Sequence, residues 1–129
     1  MPQAEPIIVL GAGAIGSVYA VKMSARHPVT VVARQDHADA IRDNGLRLIG
    51  RETVTARLNA VTRVEAIGPG TTILLTTKVN ASESALAPIA DLVRADTVIV
   101  CVQNGLDSEG IARRAVGGRC LVLRAITQL

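Results

Sequence analysis

Ile7-Ile8-Val9-Leu10-Gly11-Ala12-Gly13-Ala14-Ile15-Gly16 opens with four apolar residues, mostly β-branched, that stop at a glycine. Such a run reads as a strand buried on both faces of a sheet. The next six residues fit G-x-G-x-x-G, and Ile15, Val18, Tyr19 and Met23 then fall at helical spacing as far as about Ala25. The placement carries the information, because the bare glycine pattern is common by chance. His27-Pro28 ends the helix, since proline disfavours helical geometry in the residue before it. Val29 to Ala33 is a second strand.

Outward from this unit the same alternation continues, which predicts β-α-β units around a parallel sheet. Gln35 to about Arg42 is a helix with Asp36 as its N-cap, closed by an Asn44-Gly45 turn. Leu46 to Ile49 and Thr53 to Leu58 alternate apolar and polar residues, as an antiparallel pair near one sheet edge would. Thr71 to Thr76 follows the Gly68-Pro69-Gly70 turn as a buried strand. Ala81 to Arg94 is a helix with Leu86, Ile89, Ala90 and Val93 on one face, which Pro88 should end or kink. Thr97 to Val102 is a strand and Ser108 to Ala115 a short helix capped by Asp107 or Ser108. Cys120 to Leu123 is a last strand. The expectation is a Rossmann-type, doubly wound, mostly parallel sheet in a single three-layer αβα domain covering residues 1–129.

Composition closes off other classes. Hydrophobic residues make up 49% and the net charge is +3, too apolar and too weakly charged for intrinsic disorder. No apolar run approaches the ~18–20 residues of a membrane helix, and MPQAEP lacks the features of a signal peptide. Two cysteines make no disulfide framework, so a cytoplasmic location is expected. The 14 basic residues are interleaved with 11 acids, and Tyr19 is the single aromatic, which argues against nucleic-acid binding. No His/Cys/Asp/Glu spacing suggests a metal site. Cys101 and Cys120 read as small buried hydrophobes, His27 and His37 as solvated, and Ser82 and Ser84 as ordinary helix-start residues.

Each glycine of the loop has its own task. Gly11 permits the tight turn, Gly13 lets a pyrophosphate approach the backbone, and Gly16 lets the helix pack closely on the strand. The helix N-terminus then offers free N–H groups to an anion. A unit selective for NAD places a carboxylate about 20 residues on, against the ribose 2′-OH. Here Arg34 stands 18 positions past Gly16, and a guanidinium suits a 2′-phosphate instead, so the expected cofactor is NADP. The nearby Asp36 offers a ribose contact of its own. Lys78 and Asn104 end two further strands, where ligands of doubly wound sheets bind.

The strings GAGAIGS (11–17), VVAR (31–34) with His37, Ile41 and Gly45-Leu46 behind it, TTKVN (76–80) and VQNGLDSE (102–109) together resemble the ketopantoate reductase family. The match runs in order over almost the whole chain. The resemblance implies an oxidoreductase that reduces 2-dehydropantoate to pantoate with NADPH, on the route to pantothenate. It implies that Gly11, Ala12, Gly13, Ala14, Ile15 and Gly16 hold the pyrophosphate and Arg34 the 2′-phosphate. Lys78 and Asn104 then lie near the nicotinamide and a small 2-oxo acid substrate. Members of that family carry a further, C-terminal helical domain that supplies the general-acid lysine and a substrate-binding carboxylate. The chain is expected to lack that domain, so none of its residues, Lys78 included, is assigned as catalytic, and it is expected to be inactive alone as a truncated domain. A homo-oligomer through Leu121, Leu123, Ile126 and Leu129 is expected from the surface so uncovered. The alternative is a stand-alone dinucleotide-sensing module, like the regulatory domains of some potassium channels. Such a module usually carries an acid where this chain has Arg34, and has no need of Lys78 and Asn104.

Overall fold

The computed structural model describes residues 4–11, 13–103 and 107–126. Six strands form one parallel sheet: β1 (Ile7–Leu10), β2 (Val29–Val32), β5 (Asn59–Val61), β6 (Thr72–Leu75), β7 (Val98–Cys101) and β8 (Leu121–Arg124). Their order is β5-β2-β1-β6-β7-β8. The chain builds outward from β1 in one direction and then, from β6, in the other. The reversal between β1 and β6 is a topological switch point, the place where doubly wound sheets bind ligands.

Every residue of β1 is buried, which is why the strand reads as a continuous apolar run. Successive side chains go to opposite faces. Ile8 and Leu10 pack with Ile73, Leu75, Ile99, Cys101 and Val122 beneath α3 (Ser82–Leu86) and α4 (Ser108–Val116). Ile7 and Val9 pack with Val29, Val31 and Leu74 beneath α1 (Ala14–Met23) and α2 (Gln35–Asn44). This is the three-layer arrangement that the sequence predicts.

The departures have physical causes. The face of α1 pressed on the sheet is Gly16, Ala20 and Val21, whereas Ile15, Tyr19 and Met23 pack at its flank and stay partly exposed. Only small residues fit where a helix lies this close to the strands. Arg34, not Asp36, is the N-cap of α2, because its carbonyl accepts the first helical bond, from the Ala38 N–H at 2.8 Å. Asp36 sits in the first turn instead. The strands β3 (Leu46–Ile49) and β4 (Thr53–Ala56) do pair antiparallel, but as a separate two-stranded sheet against α1. The edge beside β2 goes to β5, whose Ala60 is fully buried there. Pro88 ends α3 early: the α-helix stops at Leu86 and Ala87–Ile89 is a 3-10 turn, because proline has no N–H to donate. Leu86, Ile89 and Val93 stay buried across that break. Asp107 is the N-cap of α4 at φ +67°, yet its side chain makes no capping bond and pairs with Arg114 at 3.2 Å.

β8 closes the far edge of the sheet. Val122 faces α4, while Leu121 and Leu123, 56% and 46% exposed, lie on the opposite face with no helix over them among the described residues, and Ile126 beyond is 75% exposed.

Candidate functional site

The register sets the floor of the site. Leu10 pairs with Val32 and Leu75, and Leu75 with Cys101, so four strands end level. The residues that follow them, Gly11, Ala33, Thr76 and Val102, therefore form one rim. Thr76 fastens it: its hydroxyl hydrogen is shared between the carbonyls of Leu10 at 2.9 Å and Gly11 at 3.0 Å. Its own N–H donates to the Leu10 carbonyl at 3.0 Å.

The three glycines stand in three different surroundings. Gly11 has φ +106°, a conformation that side-chain-bearing residues rarely adopt. A Cβ on Gly16 would lie 2.1 Å from the Gly11 carbonyl oxygen and 2.6 Å from Thr76 Oγ1. A Cβ on Gly13 would meet no protein atom within 4 Å. Gly13 thus faces open space directly before α1, where a pyrophosphate would need the backbone bare. The strained turn at Gly11 and the close packing at Gly16 are backbone facts, and Gly13 leaves its backbone open. Ala12 lies outside the described residues.

The start of α1 is suited to an anion. Gly13 is its N-cap, no side chain caps it, and no acid stands in its first turn. The Ser17 N–H makes the first helical bond, to the Gly13 carbonyl at 2.9 Å, so the N–H groups of Ala14, Ile15 and Gly16 have no place in the helical ladder. The helix dipole adds roughly half a positive charge at that end.

Two clefts flank the glycine loop and share Thr77. The first, about 530 Å³, is lined by Gly11, Gly13, Arg34, His37, Thr62 and others. Arg34 is exposed at the mouth of α2, and no ion pair engages it among the described residues. His37, one turn further along α2, lines the same cleft. His37 is exposed, as the sequence reading expects, and its spacing of three from Arg34 puts both on one helical face. Asp36 is not among the lining residues, so the carboxylate nearest Arg34 in sequence does not contest the cleft.

The second cleft, about 430 Å³, is lined by Ile15, Thr77, Lys78, Asn80 and Gln103 among others. Lys78 is exposed, N-caps the 3-10 turn Val79–Ala81 and has no ion-pair partner among the described residues. Lys78 stands two positions past Thr76 on the rim and lines this cleft; Asn104 lies outside the described residues. Gln103 and Ser82 are the residues that the sequence undervalues. Gln103 is buried, and its Nε2 donates to the Thr77 carbonyl at 2.6 Å and to Ser82 Oγ at 2.8 Å. Ser82 is fully buried and belongs to this network. A third cleft, about 510 Å³, lies over Thr30 and Asn59. Its arginines, Arg42 and Arg63, are engaged by Asp39 and Glu65, so it offers little free charge.

Cys101 is completely buried, and burial pushes its thiol up to about 11 from an ordinary 9.0, with Glu109 adding to the rise. Burial raises Cys120 as well. Neither is an activated thiol. His27 is half-buried rather than solvated, and its Nδ1 donates to the Glu5 carbonyl at 2.9 Å. Among the described residues no three His, Cys, Asp or Glu converge as a metal site would require, and no helix is long and apolar enough to cross a membrane.

The profile of the family described as ketopantoate reductase PanE/ApbA matches residues 7–129. A 2-dehydropantoate 2-reductase of Mesorhizobium japonicum is 38% identical over 104 residues, which is 78% of this chain and 32% of that protein. The crystal structure of 2-dehydropantoate 2-reductase from Methylococcus capsulatus superposes with a TM-score of 0.79 at 31% identity, over 96% of this chain and 41% of that one. A ternary structure of D-mandelate dehydrogenase with NADH and anilino(oxo)acetate gives a TM-score of 0.77 at 28% identity, over 91% of this chain and 39% of that one. The chain spans about a third of the length of the curated relatives it matches.

Proposed function

The chain belongs to the ketopantoate reductase PanE/ApbA family, and from that premise we propose that residues 1–129 form the NADP-binding domain of an NADPH-dependent 2-oxo acid reductase. The substrate proposed is 2-dehydropantoate, reduced to pantoate in the cytoplasm on the route to pantothenate. The carrying observation is the pairing of a bare, uncapped helix end at Gly13 with an unengaged Arg34 in one cleft. The first suits a pyrophosphate; the second suits one further phosphate on the adenosine ribose.

In this reading Gly11, Ala12, Gly13, Ala14, Ile15 and Gly16 cradle the pyrophosphate, and Arg34 pairs with the 2′-phosphate. Lys78 and Asn104 meet the nicotinamide end and the substrate. The reduced cofactor supplies a hydride to the ketone carbon of the 2-oxo acid. This chain's part is to bind and to orient. Hydride transfer needs its reactants held within about 3–3.5 Å, and the strand-end rim is one wall of the enclosure that would do this. No residue described here is placed as the general acid, so binding with little turnover is the expected behaviour of these residues alone. The relatives named above are reductases and a dehydrogenase, which supports this reading over a sensing module.

Calorimetric titration with NADPH and NADH tests the proposal. NADPH is expected to bind at least roughly tenfold more tightly, the worth of one charge-assisted bond. Equal affinities would overturn the NADP assignment; the D-mandelate dehydrogenase structure, with its NADH, shows that this fold also serves the other cofactor. Reduction of 2-dehydropantoate by these residues alone at ordinary enzymic rates, about 1–10³ per second, would overturn the division of labour.

The same reading includes self-association through β8. Leu121 and Leu123 offer an apolar face at an open sheet edge, and such edges pair. Sedimentation should show a dimer or larger species at micromolar concentration; a monomer throughout that range would dismiss it.

A further inference from the structure

One buried oxygen in the second cleft has no partner. The Gln103 side chain is 7% exposed, and its Nε2 donates to the Thr77 carbonyl at 2.6 Å, to Thr77 Oγ1 at 3.3 Å and to Ser82 Oγ at 2.8 Å. A backbone carbonyl only accepts, so the nitrogen and not the oxygen must face Thr77, and the orientation of the amide is fixed by chemistry. Gln103 Oε1 is then left buried and, alone of such side-chain atoms among the described residues, without a hydrogen bond. Buried acceptors are nearly always satisfied, and one that is not calls for a donor from elsewhere.

Its position says what kind of donor. Gln103 lines the cleft that also holds Ile15, in the first turn of α1, and Lys78. Thr77 joins that cleft to the one holding Arg34. If the adenosine phosphates lie at Arg34 and the glycine loop, as proposed above, the opposite end of the dinucleotide belongs on the Gln103 side. That end carries a primary amide with two N–H groups. We propose that Gln103 is a cofactor-recognition residue: its NH2 group clamps Thr77 and Ser82, and its Oε1 accepts a hydrogen bond from the nicotinamide carboxamide. The proposal rests on the dinucleotide reading.

The clamp gives the contact its value. The amide is held by partners on β6's end and on α3, so the acceptor is oriented before any ligand arrives and little freedom is lost on binding. It selects the amide form of the ring, because an analogue without the N–H leaves the oxygen unpaired in the complex.

The ligand itself supplies the cleanest test. The 129-residue chain is titrated with NADP⁺, with its 3-acetylpyridine analogue, which has a methyl where the amide has NH2, and with adenosine 2′,5′-bisphosphate, which has no nicotinamide. The analogue is expected to bind roughly tenfold more weakly than NADP⁺. In Gln103→Met that gap should close to within twofold, while the affinity for the bisphosphate stays unchanged. Equal binding of NADP⁺ and the analogue by the parent chain overturns the proposal without any variant having to fold. So does a Gln103→Met chain in which the bisphosphate weakens as much as NADP⁺, since Gln103 would then only hold the fold together. Failure of the parent chain to bind the bisphosphate is a different result: it removes the dinucleotide reading itself, and this inference with it.

Discussion

Gly16→Ala is expected to abolish dinucleotide binding and to lower the melting temperature by roughly 10 °C. The new methyl group would lie 2.1 Å from the Gly11 carbonyl oxygen, 2.6 Å from Thr76 Oγ1 and 3.2 Å from the Gly11 carbonyl carbon. Two of these atoms are backbone and cannot swing aside. Thr76 is itself tied to Leu10 and Gly11, so its hydroxyl cannot yield without loosening the rim. Relief requires α1 to lift from β1 or the Gly11 turn to open, and either moves the N–H groups at the helix start. Overpacking of this kind costs about 1–3 kcal/mol and at times more. For a domain of this size each kilocalorie shifts the midpoint by roughly 3–5 °C. Gly13→Ala is the control. Its methyl group meets no protein atom within 4 Å, so the melt should hold while the affinity for NADPH falls. Circular-dichroism melts beside calorimetry separate the two; a Gly16→Ala chain that melts and binds like the parent would refute the close-packing argument.

Arg34→Asp should weaken NADPH at least roughly tenfold while leaving NADH unchanged or improved, which reverses the cofactor preference. Arg34 stands unpaired beside the glycine loop, so the substitution breaks no ion pair seen among the described residues. It replaces an attraction for a phosphate with a repulsion, and offers a ribose hydroxyl a carboxylate. Arg34 is exposed at the cleft mouth, so the difference should shrink as salt rises. Parallel losses for both cofactors would mean that Arg34 supports the loop and does not read the phosphate.

What the sequence discloses is whatever a strand or loop states locally. Ile7 to Leu10 is legible because burial on both faces leaves no polar residue to confuse it. The glycine loop is legible because its three glycines keep a fixed local spacing between a strand and a helix, and Arg34 is noticed because it stands just past a strand end. β5 is not, since three residues with one fully buried side chain, Ala60, carry no periodicity. The alternation of Leu46 to Ala56 shows that β3 and β4 pair, but nothing in it says which sheet they join. The apolar spacing of Leu86, Ile89 and Val93 suggests a longer helix because burial persists after Pro88 has ended it. The Gln103 clamp and the Thr76 fastening are invisible for another reason. Their partners lie 21 to 66 residues away and are brought near by strand register and by the packing of α3.

That separation has a consequence for how the protein is made. β1 is synthesised early, but one of its two neighbours, β6, begins only at Thr72. The Gly11 turn therefore lacks the Thr76 fastening on the ribosome until that residue has emerged. On the dinucleotide reading proposed above, the cofactor has no finished cradle to grip until Thr76, more than half-way along the 129 residues, is in place.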